Sequence, residues 1–183
     1  MRTALLADIH SNLEALQACL AHARREGAGR FVFLGDLVGY GADPVACLEI
    51  IAGLAEQGAP VVQGNHDAAC LGGILPDMSY TARDAIYWTR DQLGARERAF
   101  LAGLPLAVAE EDRLYVHASA EQPETWPYIT GTLDAARALA ATTARIVLVG
   151  HVHDPLLYFT TPGGNPRAFR PVPGVPLPLS EFR

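Results

Sequence analysis

The first 62 residues alternate between short apolar runs and longer segments with helical periodicity, and this alternation constrains the fold more than any other feature. The apolar runs are residues 3–7, 31–34 and 61–62. The first helical segment has Ser11 or Asn12 as its cap and ends at Gly27, and the second has Asp43 as its cap and Pro44 in its first turn. Strands that alternate with helices form parallel sheets through right-handed crossovers. We therefore predict an α/β fold.

The rest of the chain continues this mixture. Two helices are expected between residues 79 and 103, and a hairpin is expected from residues 106–108 and 114–116. The pattern then predicts a helix capped by Thr132, a strand at residues 146–149 and two short strand pieces around residues 162–165. Because no repeat or linker interrupts the pattern, residues 1–183 are expected to form a single domain.

Five of the predicted strands are followed by loops whose side chains can bind a metal or transfer a proton. Five of the six histidines lie in these loops, whereas His22 lies on a helix, where we expect a solvated residue. The polar residues at strand ends are Asp8, His10, Asp36, Asn65, His66, Asp67, His117, His151 and His153. Ligands of such sheets bind outside the carboxyl ends of the strands. We expect these side chains to converge on one site.

The donor types indicate which metals would bind. Imidazole and carboxylate without thiolate suit Mn, Fe, Co, Ni or Zn. In Asp8-x-His10 and His151-x-His153, an extended backbone would place both side chains of a pair on one side. The donors are too many for one tetrahedral ion and suit two ions about 3.5–4 Å apart. A single structural ion is the alternative, and a metal count distinguishes the two.

Five sequence blocks make the chain resemble the calcineurin-like metallophosphoesterase superfamily. In order, they are Asp8-x-His10, Gly35-Asp36, Gly64-Asn65-His66-Asp67, a lone His117 and Gly150-His151-x-His153. Residues 35–41 resemble the small prokaryotic phosphodiesterase branch, which includes diadenosine tetraphosphatase-like proteins. The resemblance implies a β-sandwich flanked by helices, in a four-layer α-β-β-α arrangement. Relatives usually continue beyond the last block, so the last strands of the sandwich are expected to be lacking or replaced by the Pro-rich tail.

The resemblance also implies a role for each site residue. The residues implied to bind the first ion are Asp8, His10 and His153, those for the second are Asn65, His117 and His151, and Asp36 bridges the two. His66 would donate a proton to the leaving oxygen without binding metal, and Asp67 would orient His66. The implied reaction is hydrolysis of a phosphoester by a hydroxide held between two divalent ions.

The family resemblance also limits the expected class of substrate. Gly39 and Tyr40 occupy the positions at which phosphoprotein phosphatases of the superfamily have an Asp-Arg pair, and the arginine of that pair binds the phosphate. A small phosphodiester or dinucleoside polyphosphate is therefore expected rather than a phosphoprotein. Tyr40, Trp126 and Tyr128 could stack on a base, although core packing would explain these residues equally well.

Charge and composition argue against several other classes of protein. The net charge of −6 argues against binding a nucleic-acid duplex, and bound cations would reverse the local field for a phosphate. All 14 basic residues are arginine, which excludes lysine Schiff-base chemistry and a Walker-type loop. No apolar run approaches the roughly 20 residues of a membrane span, and Asp8 comes too early for a signal peptide. We expect a cytoplasmic protein without membrane contact.

Three further expectations concern turnover, assembly and packing. A scaffold of the same fold that binds metal without catalysis is the alternative to an enzyme, and the intact His66 argues against it. An uncovered sheet edge would favour a homo-oligomer, which light scattering tests. The residues expected in the core include Cys19, Cys47, Tyr87 and Trp88.

Overall fold

The computed structural model describes residues 1–72, 78–160 and 164–179, in which helices and strands are mixed along the chain. The strands are β1 (Arg2–Leu6), β2 (Ala28–Phe33), β3 (Ala107–Glu110), β4 (Arg113–Val116), β5 (Ile146–Leu148), β6 (Leu157–Thr160) and β7 (Pro166–Phe169). The helices are α1 (Leu13–Arg25), α2 (Pro44–Glu56), α3 (Asn65–Leu71), α4 (Tyr80–Gln92), α5 (Ala95–Ala102) and α6 (Thr132–Ala140), with a 3₁₀ helix at Pro123–Thr125. The predicted α/β class is confirmed.

The strands form three small sheets. β1 and β2 are parallel, and the strand expected at residues 61–62 is reduced to a single parallel bridge between Val61 and Phe33. β4 pairs antiparallel with β3, as the predicted hairpin requires, and parallel with β5. β6 and β7 form an antiparallel pair, and the turn expected between them lies partly outside the described residues.

Strand β2 and the residue after it are buried from both sides. Phe31 and Phe33 pack with α1 and α2, whereas Val32 and Leu34 pack with Tyr115 of the second sheet. Since successive side chains of a strand point to opposite faces, β2 lies between a helical layer and another sheet. Helix α6 belongs to a third cluster with residues around β5 and β6. The order helix, sheet, sheet, helix confirms the expected four-layer arrangement.

Several local expectations were wrong. Cys19 is exposed, and Tyr87 and Trp88 are 53% and 44% exposed. The buried residues of α4 are Ala82, Ile86 and Thr89, which recur at helical spacing. Tyr87 and Trp88 fall outside that face, so burying this stripe leaves both aromatic rings on the solvent side. None of the helices in the described part of the chain combines the length and the apolar composition that a membrane span requires.

Candidate metal centre

The loops that follow β1 and β2 are joined to one another by backbone hydrogen bonds. The amide of Asp8 donates to the Gly35 carbonyl at 3.1 Å, and the amide of His10 donates to the Asp36 carbonyl at 2.9 Å. The His151 amide donates to a carboxylate oxygen of Asp8 at 3.0 Å, which brings in the loop after β5. The expected convergence of these loops is therefore observed, although they follow strands of two different sheets.

The backbone of these hydrogen-bonded loops also has unusual φ angles. Left-handed φ values occur at five of the predicted metal ligands. These are Asp8 (55°), His10 (49°), Asp36 (51°), His151 (67°) and His153 (58°). Non-glycine residues in this conformation are uncommon, and they concentrate where a surrounding structure fixes a functional geometry. The chain therefore turns sharply at these predicted ligands.

The first donor cluster contains Asp8, His10 and His153, whose ligand atoms all lie within 4.8 Å of one another. His153 Nε2 is 3.2 Å from Asp8 Oδ1 and 3.2 Å from His10 Nε2. His10 Nδ1 lies 3.2 Å from the Val38 carbonyl. A carbonyl can only accept, so Nδ1 carries the proton and the lone pair of His10 Nε2 faces the cluster.

The second donor cluster contains Asp36, His117 and His151, and all three are buried. His117 Nδ1 donates to the Leu34 carbonyl at 2.7 Å, and His117 Nε2 lies 3.0 Å from Asn65 Oδ1. The ring of His151 is held by a backbone hydrogen bond to Trp126, while its Nε2 is buried without a hydrogen-bond partner. A buried imidazole nitrogen without a hydrogen-bond partner is suited to bind a cation, as is the mixed imidazole, amide and carboxylate donor set.

Asp36 lies between the two clusters. Its Oδ2 is 3.6 Å from His10 Nε2 and 3.4 Å from His117 Nε2. The other oxygen, Oδ1, accepts a hydrogen bond from the His66 amide at 2.8 Å. Gly64 makes this approach possible, because a Cβ there would meet Asp36 Oδ1 at 2.2 Å. One carboxylate is therefore available to both clusters.

The protonation states of His10, His151 and Asp36 suit metal ligands, whereas His117 would have to give up a proton to bind a cation. Burial lowers the pKa of His10 and lowers that of His151 to about 4, so both imidazoles are neutral at pH 7. Burial would also lower the pKa of His117, but the hydrogen bond and charge of Asp36 outweigh burial and raise it to about 9. Burial would raise the pKa of Asp36, but His117 outweighs it, and the carboxyl is ionised.

His66 lies beside these clusters and is buried, with Nδ1 free of any hydrogen bond. Burial lowers the pKa of His66 to about 4. Its ring packs against Tyr40 at 4.7 Å between centroids and against the backbone of Gly39. His66 also lies within 4.8 Å of ligand atoms of His10 and Asp36, so proximity alone does not exclude metal binding.

The expectation that Asp67 holds the His66 ring directly was wrong. The Asp67 carboxylate accepts hydrogen bonds from the amides of Gly64, Leu37 and Val38, at 2.9, 2.9 and 3.2 Å. Asp67 is fully buried, and its two oxygens accept these hydrogen bonds from backbone donors of two loops. Asp67 therefore fixes the loop after β2 to the start of α3, and it positions His66 only through the backbone.

The site opens into a cavity of about 270 Å³ whose lining includes Asp36, His66 and His151. Tyr40 and Tyr128 also line this cavity, whereas Trp126 is buried, so packing explains the tryptophan. Residue type alone did not distinguish these three aromatic residues from one another. The glycines on both sides of Tyr40 were the available signal, since they indicate a tight loop that presents one side chain.

Comparison with known proteins agrees with this geometry. Residues 1–164 match the model of the calcineurin-like phosphoesterase superfamily domain. An uncharacterized protein of Methanocaldococcus jannaschii is 38% identical over 131 residues, covering 69% of this chain and 53% of that protein. The symmetrical bis(5′-nucleosyl)-tetraphosphatase of Glaesserella parasuis is 34% identical over 149 residues, covering 77% of this chain and 52% of that enzyme.

A solved structure supports the same conclusion. The metallophosphoesterase from Sphaerobacter thermophilus is 39% identical, with a TM-score of 0.75 over 87% of this chain and 63% of that chain. The chain spans about half the length of the curated relatives it matches. The chain belongs to the calcineurin-like phosphoesterase superfamily.

Proposed function

We propose that the chain is a phosphoesterase that works with two divalent cations of the Mn, Fe, Co, Ni or Zn type. The observation that carries this proposal is Asp36, a single buried carboxylate within 3.6 Å of ligand nitrogens from both donor clusters. The similarity to a nucleosyl tetraphosphatase supports it. Two cations, when bound, would supply a hydroxide near neutral pH and positive charge for the phosphoryl oxygens.

The residues of the chain have separate tasks in this proposal. Asp8, His10 and His153 would hold one cation, and Asn65, His117 and His151 the other, with Asp36 shared. His66 would donate a proton to the leaving oxygen. An anionic phosphoester beside His66 would favour its protonated form, against the burial that disfavours it. Asp67 would keep His66 in place through the loop backbone.

The substrate is proposed to be a small phosphodiester or a dinucleoside polyphosphate rather than a phosphoprotein. Gly39 and Tyr40 provide no guanidinium to grip a phosphate, and no arginine is among the described residues lining the 270 Å³ cavity. A cytoplasmic location and a homo-oligomer remain predictions.

A metal-reconstitution experiment tests the proposal. Chelated protein reloaded with Mn should contain two equivalents of metal and hydrolyse bis(p-nitrophenyl) phosphate. His66→Ala should reduce kcat by about 100-fold or more while metal content stays at two equivalents. His22→Ala, a substitution of an exposed histidine on α1, is the matched control and should behave as wild type. A His66→Ala protein with full activity would remove the proton-donor role, and metal-loaded wild type without turnover would favour a scaffold.

A further inference from the structure

Two exposed tyrosines stand at the cavity of the candidate metal centre. Tyr40 is 48% exposed and Tyr128 is 59% exposed, and both line the 270 Å³ cavity. Tyr128 stacks on His151, with centroids 3.9 Å apart and planes 22° from parallel. Tyr40 contacts the rings of His10 and His66 at 4.8 and 4.7 Å. Each tyrosine therefore lies against a different part of the site.

The backbone fixes the position of Tyr40. Its φ is 62°, a left-handed value that a bulky residue seldom adopts. The neighbouring Gly41 packs so closely that a Cβ there would lie 2.4 Å from the His10 carbonyl oxygen. The loop is thus held against the first donor cluster while the phenol ring of Tyr40 is left partly exposed to solvent.

The charges around the site favour aromatic contact over an ion pair for recognising the organic part of a substrate. A second, larger cleft is lined by Asp8, Glu14 and Asp43, and it shares Tyr40 and His153 with the 270 Å³ cavity. Among the described residues lining the two cavities there is no arginine. Planar groups stack on exposed phenol rings without needing a positive charge.

We propose that Tyr40 and Tyr128 form an aromatic subsite that takes the planar base or aryl group of the substrate. The natural ligand class would be a phosphodiester of a nucleoside, preferred over an alkyl phosphodiester. This inference rests on the proposed function for the site that takes the phosphate. Since His66 is proposed to serve the leaving oxygen, Tyr40 would lie on the leaving-group side, and Tyr128 would lie on the other side, against His151.

A binding experiment tests the subsite without requiring turnover. Calorimetry on Mn-loaded protein would compare thymidine 5′-monophosphate with ethyl phosphate, which share the phosphate and differ in the base and sugar. Wild type should bind the nucleotide about tenfold more tightly, as expected for one base stacked on an aromatic ring. Tyr40→Leu or Tyr128→Leu should remove most of this preference, and the Phe variants should keep it. Tyr87→Leu, which changes a tyrosine on α4 that is 53% exposed and lines neither cavity, is the matched control.

A turnover experiment separates the two proposals. The p-nitrophenyl ester of thymidine 5′-monophosphate and ethyl p-nitrophenyl phosphate have the same leaving group, so their kcat/KM ratio reports on the other substituent. Hydrolysis of both with equal kcat/KM, and equal binding of the two phosphates, would overturn the subsite and leave the phosphoesterase intact. A nucleotide preference in binding without hydrolysis would support the subsite and overturn the phosphoesterase. A preference unchanged in both Leu variants, or no binding of either phosphate, would overturn the subsite.

Discussion

Replacing Gly39 with alanine should misplace His66 while leaving the metal ligands in position. A Cβ at Gly39 would lie 2.5 Å from His66 Nδ1, whereas ordinary contacts begin at 3.4 Å. The imidazole must therefore retreat, and a misplacement of about 1 Å in an active site can cost about 100-fold in rate. Since Gly39 has a φ of +92°, the substitution also adds backbone strain of about 1–2 kcal/mol.

Gly58→Ala is a matched control for the strain. Gly58 has a φ of +93° and no neighbouring atom within 4 Å of the added Cβ, so it carries the same backbone cost without a contact. We expect Gly58→Ala to lose about 1–2 kcal/mol of unfolding free energy in urea titrations, and Gly39→Ala to lose more, because displacing the buried His66 ring adds to the same backbone cost. Only Gly39→Ala should lose about 100-fold in kcat on bis(p-nitrophenyl) phosphate.

Metal analysis completes the Gly39 experiment. Both variants should bind the same number of Mn equivalents as wild type, because the built Cβ meets the His66 ring first. If Gly39→Ala turns over at the wild-type rate, the close packing of His66 has no part in catalysis. If Gly39→Ala loses activity together with metal, the substitution has disturbed the loop that carries metal ligands, and the loss cannot be assigned to the position of His66.

Two further outcomes test the shared carboxylate and the buried thiols. Asp36→Asn should reduce bound Mn below the wild-type content and lower kcat/KM by at least about 100-fold, as metal analysis and hydrolysis assays would show. Asp112→Asn, which changes an exposed carboxylate, should alter neither quantity. Full metal content in Asp36→Asn would contradict the bridging role. Burial raises the pKa of Cys47 to about 11 and that of Cys70 to about 12. At pH 8, iodoacetamide should therefore modify only Cys19 in the folded protein and all three thiols in urea, as mass spectrometry would show. Rapid labelling of Cys47 in the folded protein would contradict its burial.

The predictable part of the fold came from local patterns. The apolar run at residues 31–34 is buried on both sides, as a continuous hydrophobic strand should be. Asn12 caps α1 by accepting a hydrogen bond from the Ala15 amide at 3.0 Å, which cap preferences predict. The exposure of Tyr87 and Trp88 was not predictable from hydrophobicity, because the packing partners of α4 decide which stripe of the helix is buried.

The site was predictable as a set of residues but less so in its contacts. Residue types and their positions after strands indicated that Asp36, Asn65 and His117 would meet, and they do. Two of the three partners of Asp67 were not predictable, because they are backbone amides of residues about 30 positions earlier in the chain. The family resemblance implied the His66 ring as its partner, whereas the buried carboxylate accepts hydrogen bonds from backbone amides.

The Asp-x-His and His-x-His spacings show how a correct convergence can follow from a wrong geometric reason. An extended backbone was expected to place both members of each pair on one side, but Asp8, His10, His151 and His153 all have left-handed φ values. Asp8 and His10 do share a cluster, yet His153 joins them while His151 joins Asp36 and His117. Two ligands on the same face of an extended strand would both have contributed to one cluster. The left-handed turns let one short loop supply both clusters, and this places the two donor sets close enough for Asp36 to lie between them.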